Sequence, residues 1–120
     1  MLIFTLVTNV PQNKVTPKIL TDATQLVSQL FDVSKQDVLV SIKAGVQMLW
    51  GIQKGSYGLG TVQNTDPIQA EDTKQFAPAI FDFCEKSLGI PQNRMYTGFI
   101  TLNPENIAFD GKLYATTMDE

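Results

Sequence analysis

Histidine is absent from the chain and cysteine occurs once, at Cys84. Without histidine, Ser-His-Asp and Cys-His nucleophile arrangements and histidine metal sites are excluded. A single cysteine allows neither an intrachain disulfide nor a cysteine zinc cluster. Cys84 lies in an apolar helical pattern, so we interpret it as an inert core thiol. We therefore expect no metal and no other cofactor.

Positive charge is also scarce, with 9 lysines and arginines against 12 aspartates and glutamates and a net charge of −3. The basic residues do not cluster, so the electrostatic footprint of a nucleic-acid-binding protein is missing. No apolar run approaches the ~20 residues of a membrane span. The apolar amino-terminal stretch has no basic segment before it, as a signal peptide would. We expect a cytoplasmic protein that binds neither nucleic acid nor membranes.

The first half of the chain predicts a βαβ unit. Residues 2–8 form a short apolar run, which is typical of a strand covered on both faces. Thr16 and Pro17 suit an N-cap and a first helical position, and apolar residues then recur at three- and four-residue steps to Phe31 or Asp32. Alternating apolar residues over 37–42 predict a second strand.

The second half repeats this pattern after a glycine-rich connection over residues 44–60. We predict a strand around 57–64, a helix over 68–87 and a strand over 94–102. Pro78 falls inside the helix and removes a hydrogen bond to the Lys74 carbonyl, which predicts a kink or a late helix start.

Two short extended pieces, residues 107–109 and 113–115, are too brief to be stable alone. We expect them to pair at the sheet edge or with another subunit. The sequence therefore predicts one domain over residues 1–115, followed by an acidic tail, residues 116–120.

Two βαβ units predict an α/β (α+β) domain: a four-stranded mixed sheet with two helices on one face. Pattern alone leaves two alternatives, a ferredoxin-like fold and a tautomerase-type fold.

Four segments, in order and at matching spacing, resemble the macrophage migration inhibitory factor (MIF) family of the tautomerase superfamily: Thr8–Pro11, Met48–Gly51, Ile90–Tyr96 and Asn106–Tyr114. The resemblance runs from Met1 to about Ala115. It implies the tautomerase/MIF fold and a homotrimer in which terminal strands cross to neighbouring subunits. It also implies a subunit-interface pocket for a small aromatic ligand.

Active members of this family isomerise keto and enol forms of small substrates such as phenylpyruvate. They use an amino-terminal proline whose lowered pKa makes it a free base. This chain has Leu2 at that position, and leucine is too large for the usual removal of the initiator methionine. We expect the terminal amine to belong to Met1, roughly 3.3–3.6 Å farther out. Efficient proline-based catalysis is therefore not expected.

The resemblance also assigns the remaining pocket positions. The family's lysine position is Val33, with Lys35 two places along, and its asparagine position is Gly98. Of the polar pocket residues that the resemblance implies, only Tyr96 is kept. Its alternative interpretation is a strand tyrosine with its ring in the core. The candidate pocket residues are Leu2, Val33, Lys35, Thr65, Tyr96, Gly98, Ile107, Phe109 and Tyr114. The Met1 amine is a possible catalytic group beside them.

Residues outside the resemblance have simpler interpretations. Lys35 is more typical of a solvated loop lysine than of a substrate anchor. The carboxylates Asp66, Glu71 and Asp72 precede or begin the second predicted helix, and we expect them to stabilise its positive end.

Three functional hypotheses follow. The favoured one is a family-fold protein without efficient proline-based catalysis, which binds a small ligand or a protein partner. The second is a weak or altered isomerase that uses the Met1 amine or a water held by Tyr96. The third is a cytokine-like signalling protein.

Overall fold

The computed structural model describes residues 1–115, so the predicted acidic tail lies outside the described residues. The helices are α1 (Pro17–Phe31) and α2 (Ala70–Leu88). The strands are β1 (Leu2–Thr8), β2 (Val38–Lys43), β3 (Gly58–Asn64), β4 (Met95–Thr101), β5 (Ala108–Phe109) and β6 (Lys112–Leu113). Neither helix in this part of the chain is long and apolar enough to cross a membrane.

Helix α1 begins and ends at the residues that the sequence predicts. Thr16 is its N-cap, and the Thr16 hydroxyl accepts a hydrogen bond from the Ile19 amide at 3.3 Å. Pro17 takes the first helical position, where its missing N–H costs nothing. Asp32 ends the helix in a left-handed conformation (φ 53°).

Helix α2 is continuous across Pro78, so the predicted late helix start is wrong. Asp72 accepts a hydrogen bond from the Gln69 amide at 3.1 Å, which stabilises the first turn. Beyond the proline, Ile80 and Cys84 are fully buried and fix the second half of the helix to the sheet. Tertiary packing therefore outweighs the local cost of one lost hydrogen bond. Gly89 (φ 71°) ends the helix as predicted.

The main sheet has the strand order β2-β1-β3-β4. β1 and β2 are parallel neighbours, β1 and β3 are antiparallel, and β3 and β4 are parallel. A ferredoxin-like sheet would instead split each βαβ unit with an intervening strand. The predicted four-stranded mixed sheet with two helices is therefore confirmed, and the ferredoxin-like alternative is wrong.

Both helices cover the same face of the sheet. The core includes Phe4 and Leu6 of β1 and Val62 of β3, which pack with Val27 of α1 and Ile80 of α2. Residues alternate across a strand, so the other set of β1 side chains points away from the helices.

Within residues 1–115 of the single chain, the far face of the sheet has no covering layer. Burial alternates along β1 between buried and half-buried residues. The prediction that β1 is covered on both faces is therefore wrong for the single chain. Large apolar side chains stay exposed on this face, notably Leu39, Leu59, Tyr96 and Ile100.

The short carboxyl-terminal strands pair with each other and form a separate two-stranded sheet. The prediction that they pair at the edge of the main sheet is wrong. A tight turn at Asp110 (φ 55°) and Gly111 (φ 76°) explains the difference. Two successive residues with positive φ form the turn type that best joins two adjacent antiparallel strands.

Candidate functional site

A cleft of about 550 Å³ opens where β1 begins. Its walls come from the starts of β1 and β2 and from the carboxyl-terminal hairpin. The lining residues are Met1, Leu2, Ile3, Gln36, Asp37, Val38, Leu39, Ile107, Ala108, Phe109 and Tyr114. Most of these side chains are apolar, and the volume lies within the range of small-molecule sites.

The sheet register explains why these segments meet. Leu2 lies opposite Val38 in the parallel pair β1–β2, so the residues just before β2 lie beside Met1. The chain returns to the same end of the sheet after β4, where the Leu102 amide donates to the Asn64 carbonyl at 2.8 Å. Asn64 lies opposite Leu2 on the other side of β1. The hairpin that follows therefore closes over the amino end of β1.

The polar groups of the cleft include the Met1 amine and the Tyr114 hydroxyl. The Met1 ammonium donates a hydrogen bond to Tyr114 Oη at 3.0 Å, and the contact is partly buried. The Tyr114 amide donates to the Ile107 carbonyl at 2.8 Å and fixes the position of Tyr114 within the hairpin. A cation and a hydroxyl thus lie together, and Gln36 and Asp37 are the other polar residues in a lining that is otherwise apolar.

Leu2 belongs to the core and forms part of the inner wall of the cleft. Its side chain is fully buried, and its backbone lies between Val38 and Asn64 in the sheet. Leu2, at the position that the resemblance assigns to the proline, is therefore a structural part of β1. The nearest amine is that of Met1.

The structure brings together part of the predicted pocket set. Met1, Leu2, Ile107, Phe109 and Tyr114 all line the cleft. The remaining predicted residues lie elsewhere in the single chain.

Three of those remaining residues lie outside the cleft. Val33 is half-buried against the core. Lys35 lies in a short 3-10 turn, where its Nζ is 3.5 Å from Gln25 Oε1 in an exposed position. Thr65 is buried after the end of β3. The interpretation of Lys35 as an exposed surface lysine thus agrees with its position.

Tyr96 lies toward the opposite end of the sheet, and Gly98 is level with Thr5 in the middle of β1. Tyr96 pairs with Leu59, which pairs with Val7, about 17 Å along β1 from Leu2 at the usual strand rise. The Tyr96 ring is 66% exposed and stacks on Trp50. The alternative interpretation of Tyr96, with its ring in the core, is therefore wrong.

Sequence reasoning missed part of the cleft wall, including Gln36, Asp37 and Leu39. A signal for them was present, because adjacent parallel strands in a βαβ unit start at the same edge of the sheet. Residues that precede β2 must then lie beside residues that precede β1.

The carboxylates near α2 have different positions. Glu71 and Asp72 lie in its first turn, as expected for residues that stabilise the positive end of a helix. Asp66 precedes the helix and lines a second, smaller cleft of about 190 Å³. Within residues 1–115, no group of cysteine and carboxylate side chains is arranged to hold a metal ion.

Cys84 is fully buried among apolar side chains on α2. Burial raises the pKa of its thiol from 9.0 to about 12, because the thiolate is poorly solvated there. The thiol is the unreactive form, which agrees with the interpretation of Cys84 as an inert core residue.

The arrangement is suited to an apolar molecule with a hydrogen-bond acceptor at one end. Phe109 and Ile107 offer apolar contact, and the Met1 ammonium and the Tyr114 hydroxyl offer donors. Charge-assisted hydrogen bonds are stronger than neutral ones, so an anionic acceptor is favoured.

A family model described as "Macrophage migration inhibitory factor (MIF)" matches residues 1–115. The chain is 30% identical over 114 residues to the "Macrophage migration inhibitory factor homolog" of Trichinella spiralis, a match that covers 95% of this chain and 100% of that protein. The solved structure of the Trichinella spiralis factor superimposes with a TM-score of 0.87 at 29% identity, covering 92% of this chain and 97% of that one. A homologue from Prochlorococcus marinus gives 0.84 at 18% identity, over 93% and 98% of the two chains, and bears on the fold alone. The chain therefore belongs to the macrophage migration inhibitory factor family.

Proposed function

We propose that this chain binds a small aromatic carboxylate in the cleft at the start of β1 and does not catalyse efficient proline-based tautomerisation. The observation that carries the proposal is the arrangement of the first two residues. Leu2 is fully buried in β1, and the Met1 amine donates to Tyr114 in the cleft. The group at the catalytic position is thus an aliphatic side chain.

The cleft supports binding better than proton transfer. A general base must lie within hydrogen-bond reach of the proton that it removes, and a displacement of one residue is large on that scale. Neither Val33 nor Lys35 lines the cleft, so the family's lysine has no counterpart there within residues 1–115. The Met1 ammonium instead supplies a positive charge that an anionic ligand can bind.

The shape and chemistry of the cleft favour an aromatic ligand. Phe109 presents an exposed ring in the lining, and aromatic pairs contribute beyond the area that they bury. A carboxylate on the ligand would accept hydrogen bonds from the Met1 ammonium and the Tyr114 hydroxyl, which lie 3.0 Å apart. Both features are present in 3-phenylpropanoate, which lacks the keto group needed for tautomerisation.

The proposal includes a head-to-tail homotrimer, which is supported by two apolar surfaces near opposite ends of the sheet. We call Leu39 with Phe109 the head surface and Leu59 with Tyr96 the tail surface; all four side chains are exposed. Two different surfaces on one chain can form heterologous contacts, which close into a ring where the rotation between subunits allows it. In such a ring, Tyr96 of one subunit can complete the cleft of the next, so that it would lie beside Phe109 and Tyr114 of that subunit.

Binding and turnover are tested together. Intact mass spectrometry first establishes that Met1 is the terminal residue. Calorimetric titration with 3-phenylpropanoate is expected to show saturable binding, and Tyr114→Phe to weaken it severalfold because a hydroxyl contact is lost. Lys54→Ala, on an exposed loop, is the control. Phenylpyruvate turnover near that of active family members, or no binding at all, would contradict the proposal.

The second candidate function is a weak isomerase that uses the Met1 amine. The observation in its favour is that this amine already lies in the cleft, held by Tyr114. Slow phenylpyruvate turnover that is lost when the α-amine is selectively acetylated would favour this candidate. Turnover unchanged by acetylation would exclude the amine as the base.

A further inference from the structure

Trp50 is the residue against which the Tyr96 ring is held. The two ring centroids are 4.6 Å apart and the ring planes differ by 13°, a stacked geometry. Residues two apart on a strand share a face, so Gly98 is the neighbour of Tyr96 along β4, and it has no side chain to support the ring. The stack on Trp50 therefore sets the direction of an otherwise exposed ring.

Trp50 is itself held in a well-anchored loop. The Gln53 amide donates to the Trp50 carbonyl at 3.2 Å, and the Tyr57 hydroxyl donates to the Gln53 carbonyl. The Tyr57 amide donates to Asn9 Oδ1 at 2.7 Å, and Asn9 Nδ2 donates to the Gly55 carbonyl at 2.8 Å. These contacts tie the loop to the residue that follows β1.

A cation lies near the same ring. The Arg94 guanidinium carbon is 5.8 Å from the centroid of Trp50. This distance is within the range of a cation–π contact, which favours a fixed position of the indole. Arg94 immediately precedes β4, and Tyr96 is its second residue. Trp50 thus contacts Tyr96 of β4 and Arg94, the residue before this strand.

We propose that Trp50 is a positioning residue for the ligand cleft. By stacking on Tyr96, it holds that ring in the orientation in which it enters the cleft of the next subunit. The inference rests on the proposed head-to-tail assembly and ligand site. It adds to them a residue that contacts Tyr96 and does not line the cleft described in the single chain.

The test is a double-mutant cycle on the affinity for 3-phenylpropanoate. Trp50→Ala is expected to weaken binding about three- to tenfold, the equivalent of one aromatic pair. Trp50→Phe, which keeps a flat ring, should restore most of the affinity. On the Tyr96→Ala background, Trp50→Ala should have no further effect. An equal loss on both backgrounds would overturn the inference, because Trp50 would then act independently of Tyr96.

A second measurement does not depend on the ligand. The chain has 3 tyrosines, so ring-labelled tyrosine gives few NMR signals, and Tyr96→Phe assigns the relevant one. Trp50→Ala should shift that signal by removing the indole ring current, whereas Lys54→Ala should not. An unshifted Tyr96 signal would overturn the inference. A shifted signal in a protein that does not bind 3-phenylpropanoate would leave the stack intact but refute both the proposed ligand function and the positioning role.

Discussion

The side chain of Leu2 and the amine of Met1 divide between two residues the two roles that a terminal proline would combine. In a chain that begins with proline, one residue supplies both the ring that packs and the amine that reacts. Here packing belongs to Leu2, which is fully buried, and the amine belongs to Met1, which contacts Tyr114. The two roles are separated by one residue, so a single substitution can test whether they are still connected.

Leu2→Pro is expected to give only a slight gain in phenylpyruvate turnover. Removal of the methionine would then uncover a secondary amine, but Val33 and Gly98 would remain at the positions that the resemblance assigns to a lysine and an asparagine. Leu2→Ala is the matched control, because it allows the same removal and uncovers a primary amine. Mass spectrometry establishes the terminus of each variant before the kinetic assay. Strong turnover by the proline variant alone would show that the other substitutions matter little.

Burial of Cys84 predicts a loss of stability at alkaline pH. Its pKa is raised from 9.0 to about 12 in the folded chain. Below the lower value both states hold the proton, so stability does not depend on this group. Between the two values the unfolded chain releases the proton and the folded chain keeps it, so the free energy of unfolding falls as pH rises.

The measurement is urea unfolding at neutral pH and at about pH 10, within the window where the two states differ in bound protons. Cys84→Ala removes the group, so the variant should lose less stability between these conditions than the parent protein. The comparison cancels the contributions of lysines and tyrosines that titrate in the same range. Equal losses in both proteins would contradict the assignment of a buried, protonated thiol.

At the scale of elements, Pro78 is the clearest conflict between sequence and structure. It lies inside α2, which continues from Ala70 to Leu88. Pro78→Ala restores an amide that can donate to the Lys74 carbonyl. We expect it to raise the free energy of unfolding by about 2 kcal/mol, after the greater freedom of the unfolded chain is deducted.

Pro91→Ala is the control for this substitution. Pro91 precedes a short 3-10 turn with φ −61°, the value that the proline ring favours. Its removal should lower the free energy of unfolding by about 0.4–1 kcal/mol, because the unfolded chain gains freedom. Urea unfolding of both variants should therefore give changes of opposite sign. A destabilising Pro78→Ala would mean that the helix is adapted to the proline.

The main elements follow from local patterns, and the errors come from one contact between distant residues and one local turn. Thr16, Asp32 and Gly89 act locally, so the sequence predicts the start and end of α1 and the end of α2. The continuity of α2 depends on packing against the sheet, and the Asp110–Gly111 turn directs β6 back onto β5. The packing of α2 joins residues that no short window of the sequence contains, whereas the β5–β6 pairing is local and Asp110-Gly111 was a hairpin signal that the sequence-based prediction did not use.

The resemblance predicted only part of the candidate site. The resemblance placed Tyr114 and Phe109 near the terminus, and both line the cleft. It did not give the wall before β2, including Gln36, because that wall depends on the register of two strands. Nor did it reveal the stack of Tyr96 on Trp50, which joins a loop to a strand 46 residues later.

For the whole molecule, the decisive question is whether the head and tail surfaces bind each other. Leu39 is 61% exposed beside the cleft, and Leu59 is 48% exposed beside Tyr96 at the other end of the sheet. A glutamate at either position would place an unpaired charge in an apolar contact. We expect Leu39→Glu and Leu59→Glu each to convert a trimer into monomers, as measured by light scattering. Gln29→Glu adds the same charge on the exposed part of α1 and should leave the mass unchanged.

Mixing the two variants distinguishes a head-to-tail ring from other assemblies. Leu39→Glu keeps an intact tail surface and Leu59→Glu keeps an intact head surface, so one undamaged contact can form between them. Because each subunit then lacks its second contact, the ring cannot close, and the mixture should contain dimers of one copy of each variant. In an isologous assembly both surfaces meet their own copies, and mixing would restore no contact. Monomers in the mixture, or a monomeric parent protein, would therefore refute the proposed ring and with it a cleft completed by Tyr96.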